Sequence, residues 1–144
     1  YKEIIEWIEN NKRRLAHWFT VDDLEHLRRG GRLSGAAAFI GSILSIKPIL
    51  HVDSEGRLVP VSKVKGRKKS LKSLLEKMQE TAVNPEQQTI FISHGDAPED
   101  ANYLADMVRD QLSVKNILIN HIGPVIGSHS GPGTVALFFF ATQR

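Results

Sequence analysis

Ser128-His129-Ser130-Gly131-Pro132-Gly133-Thr134 runs straight into the apolar stretch Val135 to Phe140. A histidine set among hydroxyls and glycines, feeding a buried strand, is the pattern of a ligand-holding loop carried on a rigid sheet. Upstream, Thr89 to Ser93 reads as a buried strand, a helix follows from Ala97 to Leu112, and Asn116 to His121 reads as the next strand. Asp96, with Glu99 three residues later, has the spacing of a capping box for that helix. Gly123 to Gly133 then reads as the loop that delivers the chain to its last strand.

The first half follows a different plan. Pro48 to Val52 and Leu58 to Val64 form a hairpin across the turn Asp53-Ser54-Glu55-Gly56, and Pro60 assigns its strand to an edge or a bulge. The amphipathic segment from Lys68 to Thr81 carries Leu71, Leu74, Leu75 and Met78 on one face, and Asn84-Pro85 ends it. Ser34 caps an apolar helix from Gly35 to Leu44, and Asp22 is the expected N-cap of a short helix stopped by Gly30-Gly31. Tyr1 to Leu15 reads as a helix with Ile4, Ile5, Ile8 and Leu15 in a stripe, followed by a short extended piece from His17 to Val21. A hairpin followed by alternating helices and strands predicts an α/β fold of α+β character, a two-layer mixed β-sheet covered by helices.

Composition narrows the function. The 144 residues, 41% hydrophobic, suffice for one compact domain with a real core. The chain has no cysteine, which rules out a disulfide framework and thiolate chemistry and fits a reducing, cytoplasmic setting. No apolar run approaches the ~20 residues of a membrane span. The chain opens on a helix rather than on methionine, so the expectation is that it begins mid-protein. The net charge of +3 is concentrated in Lys63, Lys65, Arg67, Lys68, Lys69 and Lys72. Such a cluster fits nucleic acid, a membrane surface, an acidic protein or a merely solvated helix start. No aromatic platform interleaves it, which argues against single-stranded nucleic acid.

The residues that bear chemistry leave alternatives open. His129 reads as a ligand contact, as a structural histidine serving loop carbonyls, or as the base of a hydrolase. The last reading lacks a nucleophile, since Ser128 and Ser130 are chain neighbours and no Gly-x-Ser-x-Gly elbow occurs. Arg32 offers a planar fork for carboxylate or phosphate, or else neutralises helix carbonyls as Arg28 and Arg29 do. His94-Gly95-Asp96 stands where a strand gives way to a helix and reads as turn chemistry or as a ligand contact, and His121 is similar. His17, His26 and His51 lie apart without cysteine or paired carboxylates, so no metal site is expected.

The run from Ser128 to Thr134 and the run Arg28-Arg29-Gly30-Gly31-Arg32-Leu33-Ser34-Gly35 both resemble the DegV family. The match continues in collinear order through Gly30 to Pro48, Lys63 to Ser70, Ser93 to Asp100 and Ile122 to Phe140. The resemblance implies that residues 1–144 form the C-terminal, lipid-binding domain of a two-domain bacterial protein, a mixed sheet covered by helices. It implies a long-chain fatty acid as ligand, no other cofactor, and a carrier that presents the acyl carboxyl group to a separate fatty acid kinase for phospholipid metabolism. His129 and Arg32 would then meet the carboxyl group, with Ser128, Ser130 and Ser34 beside it. Phe39 and Ile40 would wall an acyl tunnel, for which Ala36, Ala37 and Gly41 leave room. Arg67, with Lys65 and Lys68, would dock the kinase. The rival readings are a hydrolase using His129 and a regulatory or nucleic-acid-binding module using the basic segment.

Overall fold

A computed structural model describes residues 1–32 and 45–142. The strands are β1 (Leu15–Thr20), β2 (Ile46–Val52), β3 (Leu58–Lys65), β4 (Thr89–Gly95), β5 (Asn116–His121) and β6 (Thr134–Phe140). The helices are α1 (Lys2–Asn11), α2 (Glu25–Arg29), α3 (Arg67–Thr81), α4 (Pro98–Leu112) and α5 (Pro124–Ser130). The strands form one sheet in the order β3-β2-β1-β6-β4-β5, with β4 and β5 parallel and every other pairing antiparallel. This is the mixed sheet that the sequence pattern predicts.

Period-2 alternation assigns each side chain to a face. Val135, Leu137 and Phe139 of β6, with Ile90 and Ile92 of β4, point to the side covered by α3 and α4. There they meet Leu71, Leu74, Leu75 and Met78 of α3 and Ala101, Leu104, Ala105 and Val108 of α4, all buried. The opposite side holds a smaller cluster in which Leu27 of α2 packs with Phe19, Val21 and Leu50. Beyond it Phe91 and Leu118 stand exposed, and Trp7 of α1 meets Phe140 edge-on with ring centroids 5.6 Å apart.

Several local expectations shift. The first helix ends at Asn11 rather than Leu15, because Lys12–Arg14 tighten into a 3₁₀ turn and Leu15 opens β1. What read as a short extended piece is a central strand, paired with both β2 and β6. Asp22 does not cap α2; the Asp23 carboxylate accepts the Glu25 N–H at 2.8 Å instead. No capping box forms at Asp96. Pro98 occupies the first helical position, where its missing N–H costs nothing, so Ala97 becomes the N-cap, without a side-chain cap, and its own N–H donates to the His94 ring. Pro60 meets its prediction: it lies on the edge strand β3 beside a register shift, where Leu50 pairs with Pro60 and Ile49 with Ser62. The expected helix Gly35 to Leu44 lies outside the described residues.

Candidate functional site

The segment read as a loop from Gly123 to Gly133 contains a helix. Pro124 sits at its start, Gly123 precedes it, and α5 runs to Ser130 before Gly131, at φ +79°, reverses the chain. The density of Gly, Pro and Ser that signals a loop here builds the two ends of a two-turn helix. His129 therefore projects from the last turn of a helix, half-buried.

The hydroxyl groups on either side are committed within that helix. Ser128 Oγ donates to the Val125 carbonyl at 2.9 Å, and Ser130 Oγ donates to the Ile126 carbonyl at 3.0 Å. This back-bonding is a common use of serine inside helices. Neither hydroxyl is bonded to the imidazole.

His129 packs against α2. Its ring faces Gly30, so closely that a methyl group on Gly30 would lie 2.3 Å from Nδ1. Arg32, exposed, reaches the same residue from outside: its Nη1 donates to the Gly30 carbonyl at 2.7 Å. The two residues expected at one head group thus converge on one glycine. Ser34, Phe39 and Ile40 lie outside the described residues.

The turn Gly131-Pro132-Gly133 is pinned from several sides. His26 of α2 lies against Gly131, and Asp22 lies against Gly133, where a methyl group would come within 2.4 Å of its Oδ2. The Gly133 N–H donates to the Gly95 carbonyl at 2.7 Å, and Thr134 Oγ1 donates back to the Gly131 carbonyl at 2.8 Å. Arg67 completes the arrangement. Only 19% of its side chain is exposed; Nη2 donates to the Gly133 carbonyl at 2.6 Å and Nε to Asp100 at 2.8 Å, while Asp22 stands 3.8 Å from Nη1. A basic first turn on α3 opposes the helix dipole, and Asp100 and Asp22 supply the compensating charge from within the fold. Lys65 and Lys68 are exposed, with the Lys68 ammonium 5.7 Å from the Tyr103 ring centroid.

A shallow cleft of about 250 Å³ opens beside α5, lined by His94, Asp96, His121, Ile122, Gly127 and Gly131 among others. His94 is buried, its Nδ1 accepts the Ala97 N–H at 3.2 Å, and its ring centroid lies 4.5 Å from that of His121. Burial, reinforced by the nearby His121, lowers the His94 pKa against the opposing pull of Asp96. His26 and the bracing carboxylates Asp22 and Asp100 were not singled out from sequence as parts of this site. The only signal they carry is proximity in the fold. Among the described residues no group of three or more histidine, cysteine or carboxylate side chains is arranged to hold a metal ion. Among them, too, no helix is long and apolar enough to cross a membrane.

The family model described as "Uncharacterised protein, DegV family" matches residues 1–142. The chain belongs to the DegV family. A DegV domain-containing protein of Clostridium perfringens is 58% identical over 142 residues, which cover 99% of this chain and 49% of the relative. The chain thus spans about half the length of the curated relatives it matches. Among solved structures, the fatty acid binding DegV family protein of Streptococcus agalactiae is 34% identical, with a TM-score of 0.83 over 100% of this chain and 50% of that one. The Streptococcus pneumoniae Fatty Acid Kinase (Fak) B3 protein, loaded with linoleic acid, superimposes with a TM-score of 0.84 over 96% of this chain and 49% of that one; at 17% identity the likeness is one of fold.

Proposed function

We propose that this chain is the C-terminal half of a two-domain fatty-acid-binding protein, and that it holds a long-chain fatty acid by its carboxyl group at His129 and Arg32. The observation that carries the reading is the convergence of those two side chains on Gly30, in a family whose Streptococcus agalactiae member binds fatty acid. An imidazole N–H and a guanidinium fork are suited to the two oxygens of a carboxylate. Ser128 and Ser130 flank that position, and Ser34, Phe39 and Ile40 belong to the same proposal as head-group and tunnel residues. The alkyl chain, at ~0.8 kcal/mol per buried methylene, supplies most of the affinity.

The role is one of carriage. Catalysis would come from a partner kinase that phosphorylates the presented carboxyl group. Ser128 and Ser130 support this reading, since among the described residues their hydroxyl protons go to helix carbonyls and not to His129. Docking of the kinase is assigned to the basic junction of β3 and α3, through exposed Lys65 and Lys68, with Arg67 bracing the site beneath them.

The test is mass spectrometry of the organic extract of the complete protein purified from cells, followed by phosphorylation of the bound acid by a fatty acid kinase with ATP. Stoichiometric fatty acid is expected, and His129→Ala and Arg32→Ala should slow phosphorylation more than they reduce lipid content. An extract without fatty acid, or parental rates in both variants, would refute the proposal. Lys65→Glu with Lys68→Glu should slow phosphotransfer in a salt-dependent way and leave lipid content unchanged.

A further inference from the structure

The glycines and histidines of α2 and α5 are arranged reciprocally. His129, in the last turn of α5, lies against Gly30, the residue that caps α2. His26, within α2, lies against Gly131, the residue that caps α5, where a methyl group would fall 2.5 Å from its Cδ2. Each short helix ends on a glycine, and the other helix's histidine ring occupies the space a side chain there would fill.

The two glycines are glycine for different reasons. Gly131 has φ +79°, a conformation that other residues adopt only at a cost. Gly30 has φ −74° and ψ −4°, ordinary right-handed backbone open to any residue. Nor is Gly30 needed to end α2, because Gly31, at φ +67°, supplies the left-handed residue. What excludes a side chain at Gly30 is the His129 ring, whose Nδ1 is the closest atom to the missing methyl group.

We infer that Gly30 and His26 are positioning residues for His129: the α2–α5 clasp fixes the imidazole with Nδ1 against Gly30 and leaves Nε2 as the nitrogen offered to a ligand. The inference rests on the reading of His129 as a head-group contact. Gly30→Ala is a steric probe that keeps both histidines in the sequence and adds only a methyl group at a right-handed backbone position that alanine adopts freely. It must displace the ring, since carbon and nitrogen do not approach to 2.3 Å. Misplacing a contact group by about an ångström can cost as much as 10²-fold in rate.

The experiment uses the complete protein with isotopically labelled histidine, the His129 ring signals being assigned by their loss in His129→Gln. Gly30→Ala should shift the His129 Cε1 and Hε1 resonances and slow phosphorylation of bound oleic acid by about tenfold or more, in protein that remains folded and keeps its bound lipid. His26→Ala should shift the same resonances by a smaller amount. Unchanged His129 resonances in Gly30→Ala would overturn the clasp. Shifted resonances with a parental phosphorylation rate would uphold the clasp and refute the head-group role on which it builds.

Discussion

The two sides of the sheet are held by different means. Against α3 and α4, leucines, isoleucines, valines, Phe139 and Met78 fill the space between helix and strand, and affinity between the layers comes from buried apolar area. Against α2 and α5 the cluster is small, and the fit is made by removing side chains: Gly30, Gly131 and Gly133 let histidine rings and a carboxylate lie on bare backbone. The first arrangement gives stability and tolerates similar side chains. The second gives little burial but holds rings and carbonyls at fixed positions, as a site that must present a head group requires.

That contrast breaks most sharply at Leu104, which is fully buried between α4 and the sheet. Leu104→Ala should cost roughly 2–5 kcal/mol in denaturant unfolding, while the His129 resonances of the remaining folded protein stay where they are. If a shift at His129 accompanied the lost stability, the two sides would not be separable. Arg67 sharpens the comparison from the boundary, since it starts α3 yet bonds the Gly133 carbonyl. Arg67→Leu leaves that carbonyl and Asp100 without their donor and should cost roughly 1–3 kcal/mol. Unlike Leu104→Ala, it should also perturb His129, and a variant with parental site spectra would remove Arg67 from the site's support.

The smallest expected effect is a pH dependence at His94. Its folded-state pKa is lowered by burial, so the unfolded chain takes up the proton first. This contribution to stability is fully present above the unfolded value of about 6.5 and is lost as pH falls from there toward the lower folded-state pKa. His94→Asn offers a side-chain oxygen for the Ala97 N–H without a titrating ring, and its urea midpoint should vary less with pH over that window. An unaltered profile would assign the dependence to other groups.

Legibility in the sequence follows the same division. The α3/α4 side was readable because Leu71, Leu74, Leu75 and Met78 recur at helical spacing and strand residues alternate. The β2–β3 hairpin and the position of Pro60 followed from turn chemistry and the missing proline N–H. The α2/α5 side was visible only as a motif. Glycine density hid α5, because the glycines and proline that announce a loop serve there as helix ends. The capping frame at Asp96 slipped by one residue, although Pro98 in the first helical position was the available signal. Arg67 looked like surface charge because nothing local distinguishes it from Lys68; only the return of Asp100 and Gly133 from far along the chain draws it inward. His26 and Gly30 are three-dimensional partners of His129 and Gly131 with no spacing to reveal them.

The central claim, that His129 meets a fatty-acid carboxyl group, is tested most directly by carbon-13 NMR of carboxyl-labelled oleic acid bound to the complete protein, compared with its His129→Ala variant. The account predicts that the bound acid remains in both, held by its alkyl chain, and that the carboxyl resonance of the variant moves away from the parental position. A carboxyl resonance identical in the two proteins would contradict it.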